Sequence, residues 1–124
     1  MCMNKVTLNG SQKVVKDWVK RKGFKWSTYA QYCHLVEEVG ELGEALTVHE
    51  GERKAGSGSN ALADHASLQE EFGDVLFSTL ALADRLGIDA EDCFKLAIKR
   101  YDRKIGVPQG AEKQLSNSPQ TKGR

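Results

Sequence analysis

Apolar positions recur along this chain at intervals of three and four, the period of helices that bury one side, while strand-like alternation is scarce. Both prolines, Pro108 and Pro119, lie near the C-terminus, so the first 105 residues lack the strongest helix breaker. The pattern predicts four helices. The first runs from Ser11 to Lys22, with Val14, Val15, Trp18 and Val19 on one face and Gly23 as its stop. The second begins at Ser27 or Thr28 and continues to His49, ending before Gly51. The third ends at Gly87. Ser67-Leu68-Gln69-Glu70 has capping-box spacing and marks its start, with Asn60 or Asp64 as caps for an earlier one. The fourth opens with Asp89 as N-cap and runs to Ile105, where Gly106-Val107-Pro108 ends it. Gly51 to Asn60 reads as a flexible polar connection, and the tail after Gln109 has almost no apolar residue. The expectation is an all-α, four-helix bundle-like subunit over residues 1–108 and a disordered tail over 109–124.

Length and charge narrow the function. A chain of 124 residues supports one modest core. With 28% charged residues and a net charge of +1, it lacks the basic excess expected of a protein held to nucleic acid polymers. The N-terminus leads into mixed residues rather than an apolar signal segment. The longest apolar run, Val75 to Ala83, is broken by Ser78 and Thr79 and is too short to span a membrane. Three scattered cysteines, Cys2, Cys33 and Cys93, suit reduced thiols in the cytoplasm, and no Cys/His cluster suggests zinc.

The chemistry concentrates in a short repeat. Glu37-Glu38-Val39-Gly40-Glu41-Leu42 is echoed 33 residues later by Glu70-Glu71-Phe72-Gly73-Asp74-Val75. Each residue turns a helix by about 100°. With Glu38 at zero, the stripe Leu35, Val39, Leu42 and Leu46 centres near about 70°, and Glu41 falls near about −60°. In the third helix the stripe is Leu68, Phe72, Val75, Thr79 and Leu86; Glu71 sits on its shoulder and Asp74 one step beyond. Glu37, Glu44 and Glu70 point to solvent. Packed antiparallel, the two helices would bring Glu38, Glu41, Glu71 and Asp74 together at the rim of the core. Four crowded carboxylates resist ionisation until a cation neutralises them. All-oxygen donors select Mg²⁺, with Mn²⁺ as the alternative, and point to cleavage of phosphate esters or anhydrides.

These acid pairs, within HLVEEVGELGEAL and LQEEFGDVLFSTLALADRLGI, resemble the MazG-like family of all-α nucleoside triphosphate pyrophosphatases, over roughly Trp18 to Ile105. The resemblance implies a helical subunit assembled as a homo-oligomer, dimer or tetramer, with Mg²⁺ on the four acids. It implies hydrolysis of a (d)NTP to the monophosphate and pyrophosphate, in a family often described as house-cleaning. Sibling activities are dUTPase and phosphoribosyl-ATP pyrophosphatase. Two departures stand out: the Gly/Ser-rich linker between the acid pairs, and Ala97-Ile98-Lys99-Arg100-Tyr101-Asp102-Arg103-Lys104 where many relatives carry an Asn.

Further candidates surround the acids. Lys99, Arg103 and Lys104 offer cations for a phosphate chain, against the alternative of a solvated basic face. Trp26 enters the second helix where it could stack on a base, and His34 lies one turn before Glu38. Phe77 and Leu80 fall on the back of the third helix and predict a subunit interface. Against an enzyme stands a non-catalytic helical dimer that binds nucleotide or protein. A ferritin-like di-iron bundle is disfavoured, because neither acid pair carries a Glu-x-x-His.

Overall fold

The computed structural model describes residues 6–54 and 65–106, and these form four helices with no strand among them. They are α1 (Leu8–Lys22), α2 (Thr28–His49), α3 (His65–Leu86) and α4 (Ala90–Ile105). The described residues divide into two compact units, α1 to α3 with the first two residues of α4 in one, and the rest of α4 in the other.

Local chemistry sets most boundaries. Thr7 Oγ1 accepts from the Gly10 N–H at 3.0 Å and starts α1 three residues before the expected Ser11, despite the weak helix formers Asn9 and Gly10. Gly23, at φ 71°, closes α1 in the left-handed conformation, and its N–H donates to the Lys20 carbonyl. Ser27 caps α2 through the Ala30 N–H at 3.1 Å. Helix α3 begins at His65 rather than at Ser67; the alternative caps Asn60 and Asp64, like most of the polar connection and the C-terminal tail, lie outside the described residues. Gly87, at φ 66°, ends α3. Gln12 of α1 then clasps the turn that follows: its Nε2 donates to the Ile88 carbonyl and its Oε1 accepts from the Ala90 N–H, both at 2.8 Å.

Helix α3 packs on α2 along one side and on α1 along another. Against α1, Val15 meets Leu80 and Ala81, with Leu8, Val19, Phe77 and Ala90 partly buried around them. Against α2, the closest-packed side chains are small. Ala45 and Val48 on α2 are 1% and 2% exposed, and Ser78 on α3 is 1% exposed. Gln31, Glu38 and Ala45 recur every seven residues and therefore share one line of α2, as Glu71 and Ser78 do on α3.

This rotates both helices away from the periodic stripes. Leu35, Leu42, Leu68 and Val75 are half-buried, but Val39, Leu46, Phe72, Thr79 and Leu86 are exposed. The buried side of α2 is turned by roughly 70° toward the acids. Periodicity weights large apolar residues and overlooks Ala45 and Ser78, whose small size lets the backbones approach. Phe77 and Leu80 are likewise corrected: Leu80 is buried within the subunit, and Phe77 packs beside it with its ring edge-on to Trp18 at 5.2 Å. Both face α1, where Leu80 is covered within the subunit and Phe77 is partly covered.

Truncating a buried leucine removes transfer energy and leaves a cavity. Leu80→Ala is expected to lower unfolding stability by about 2–4 kcal/mol, measured by urea denaturation. A loss below about 1 kcal/mol would show that the α1–α3 core is not where the subunit gains its stability.

Candidate metal centre

Glu38 on α2 and Glu71 and Asp74 on α3 converge, each offering a carboxylate oxygen within 4.8 Å of the others. The charged neighbours also reveal how the helices run. Glu41 is the strongest acidic neighbour of Glu71, and Asp74 that of Glu38. This crossed pairing is what antiparallel helices produce.

Glu38 is enclosed, its side chain only 13% exposed. The His34 Nε2 lies 3.1 Å from Glu38 Oε1, and its Nδ1 lies 3.7 Å from Glu37 Oε2. One oxygen of Glu38 is thereby held. The other, Oε2, is buried and finds no hydrogen-bond partner among the described residues; Glu71 Oε2 is in the same position. Burial pushes both carboxyls above the ordinary glutamate range. At Glu38 the His34 ring opposes that rise, while the charges of Asp74, Glu41 and Glu37 add to it. At Glu71 the charges of Glu41, Asp74, Glu38 and Glu70 all add to it.

Two buried anionic oxygens without a donor are expensive unless a cation meets them. The donor set is all oxygen, as Mg²⁺ or Mn²⁺ prefers, so these residues fit such an ion. Glu41 is exposed and stands outside the group of three, acting on it through charge. Glu37 and Glu70 are exposed, as the rotation predicts, but Glu44 is half-buried, because the buried side of α2 is turned toward the acids.

Beside the acids opens a cleft of about 510 Å³. Trp18, Phe24, Trp26 and Phe77 give it an aromatic wall, and His34 and Gln31 line it as well. Trp18 stacks on Phe24 with ring centres 5.9 Å apart. Trp26 meets the His34 ring edge-on at 4.8 Å. His34 thus touches both the cleft and the acid site. Sequence reasoning singled out Trp26 and His34 but missed Gln31, whose only sequence signal is its place seven residues before Glu38. Lys99, Arg103 and Lys104 are exposed on α4, and none forms an ion pair among the described residues.

Comparison with known proteins gives a consistent result. The family model of the MazG nucleotide pyrophosphohydrolase domain matches residues 27–105. The nucleoside triphosphate pyrophosphohydrolase of Escherichia coli K12 is 34% identical over 83 residues, 67% of this chain but only 27% of that protein. The chain thus spans about a quarter of that relative's length. YvdC of Bacillus subtilis is 31% identical over 93 residues, covering 71% of this chain and 86% of YvdC. The crystal structure of YPJD from Bacillus subtilis superposes with a TM-score of 0.68 at 27% identity, covering 82% of this chain and 99% of that one.

The raised carboxyls give a signed pH dependence. Between the unfolded pKa and the higher folded one, the folded state binds more protons, so stability is lost as pH rises through that window. Glu71→Gln removes this penalty. In EDTA the variant should melt above wild type at neutral pH, the gap closing as pH falls toward the ordinary glutamate value of 4.5. Saturating Mg²⁺ should reverse the order, because it stabilises only the intact site. A gap that does not vary with pH would refute the assignment of Glu71 as a buried, destabilised carboxylate.

Proposed function

The chain belongs to the MazG nucleotide pyrophosphohydrolase family, and from that premise we propose that it hydrolyses a nucleoside or deoxynucleoside triphosphate to the monophosphate and pyrophosphate. The observation that carries this proposal is the pair of buried, donorless oxygens on Glu38 and Glu71 beside Asp74. Glu38, Glu71 and Asp74 would hold a Mg²⁺ ion, with Glu41 as a fourth acid at the exposed edge. When bound, such an ion polarises a phosphoryl oxygen and makes a bound water more acidic.

The chain's own residues supply orientation. His34 fixes one oxygen of Glu38, which leaves Oε2 as the oxygen that faces the site. Enclosure keeps Glu38 in a low-dielectric setting, where its charge acts more strongly than in water. Trp26, edge-on to His34, offers an aromatic face for a base beside the reacting phosphates. To Lys99, Arg103 and Lys104 we assign the charge of the phosphate chain, whose leaving pyrophosphate requires neutralisation.

We also propose that the subunit pairs with a second copy through the exposed stripe of α2 and α3. Val36, Val39 and Leu46 on α2 and Phe72 and Leu76 on α3 are 47–56% exposed. Apolar side chains this numerous along neighbouring helices mark an association surface.

Incubation with a panel of (d)NTPs and Mg²⁺ should yield monophosphate and pyrophosphate in a one-to-one ratio, read by phosphorus NMR, and EDTA should abolish the reaction. Glu38→Ala and Glu71→Ala should each lower kcat at least about a hundredfold, whereas Glu70→Ala should stay within about threefold. Nucleoside diphosphate and orthophosphate as first products would overturn the proposal. For assembly, sedimentation at micromolar concentration should show a dimer or larger, and Leu76→Asp should shift it toward monomer. A monomeric wild type would refute the paired stripe.

A further inference from the structure

Gln31 is 6% exposed, lines the aromatic cleft, and its side-chain amide makes no hydrogen bond among the described residues. Neither amide atom is among the buried side-chain atoms left without a partner, so the amide, its residue otherwise covered, stays open to what enters the cleft. The cleft walls offer it aromatic faces, and its own helix carries it seven residues, two turns, from Glu38. His34 lies between them, touching the cleft through Trp26 and the acid site through Glu38.

An aromatic-walled cleft with a single carboxamide in its lining suits a planar heterocycle whose edge places a donor next to an acceptor. A nucleobase has such an edge. We infer that Gln31 reads the hydrogen-bonding edge of the substrate's base, held against the Trp18, Phe24 and Trp26 wall while the phosphates reach the acids. The inference rests on the proposed nucleotide substrate and adds the residue that selects among bases. The aromatic wall formed by Trp18, Phe24 and Trp26 precedes residue 27, where the family match begins. Gln31 itself lies on α2, inside the matched residues, so the proposed pocket joins a matched helix to a wall that precedes it.

The geometry provides its own reporter. The chain has two tryptophans, and both line this cleft, so their emission reports its occupancy. Wild type is titrated with AMP, GMP, CMP and UMP in Mg²⁺, and Kd is read from tryptophan quenching. The tightest base is expected to bind about tenfold better than the weakest, as one to two buried hydrogen bonds supply. Gln31→Leu keeps the size and removes the amide, and should bring all four Kd values within about twofold of the weakest, with the Mg²⁺-induced rise in Tm unchanged. Gln31→Glu, which keeps the shape and the acceptor but loses the donor, should change which base binds best. An unchanged ranking in both variants, or no quenching of wild type by any of the four, overturns the inference. Pyrophosphate release is scored in parallel. Amide-dependent binding without any pyrophosphate release supports Gln31 and sinks the hydrolytic proposal. Pyrophosphate release with base-blind binding in wild type overturns Gln31 alone.

Discussion

Two carboxylates placed where water reaches them poorly, and where no donor answers them, constrain the arrangement of α2 and α3. Glu38 and Glu71 lie in the seam between the helices, and each keeps one oxygen without a partner among the described residues. Such a seam does not hold itself together, since burying anionic oxygen opposes folding. Its support comes from elsewhere. Ala45 and Ser78 let the helices close around the acids, His34 takes one oxygen of Glu38, and the Val15–Leu80–Ala81 core anchors α3 from its α1 side.

The helices and the acid repeat were legible because their signals are local. Capping by Ser27, the stop at Gly23 and the i, i+3 spacing of the acids need no knowledge of what packs where. The facing of the helices was only half legible. Counting Val39, Leu46 and Phe72 found a genuine apolar stripe, but the subunit leaves that stripe exposed and buries the adjoining strip of small residues instead. Phe77 and Leu80 were misplaced for the same reason: with two apolar sides on α3, periodicity does not tell which one meets α1. Glu71 was nevertheless placed inward and Glu70 outward, because a difference of about 100° survives an error of about 70°. Gln31 was invisible, since nothing in the local sequence tells that a glutamine will stand in the wall of a cleft.

The family match and the cleft overlap only in part. Residues 27–105 carry the acids and align with relatives from Escherichia coli and Bacillus subtilis. The wall formed by Trp18, Phe24 and Trp26 lies before that stretch and is assembled by α1 and the connection into α2. A conversion of specificity would therefore fall on residues whose change leaves the carboxylate seam intact. Gln31 and His34 are the exceptions, because both line the cleft from α2, the helix that carries Glu38.

Gly40 and Gly73 sit between the acids of each pair, and a methyl group added at either would meet no atom of another described element within 4 Å. A glycine inside a helix sacrifices about 1 kcal/mol relative to alanine, and no close approach among the described residues returns it. For protein engineering these two positions are therefore a reserve of thermostability, open to alanine without repacking a single neighbour. They are also a diagnostic. If alanine at either raises the melting temperature of the polypeptide but slows turnover, the glycine is kept for a close approach made only in the working assembly or the substrate complex, and the affected position maps where that approach occurs.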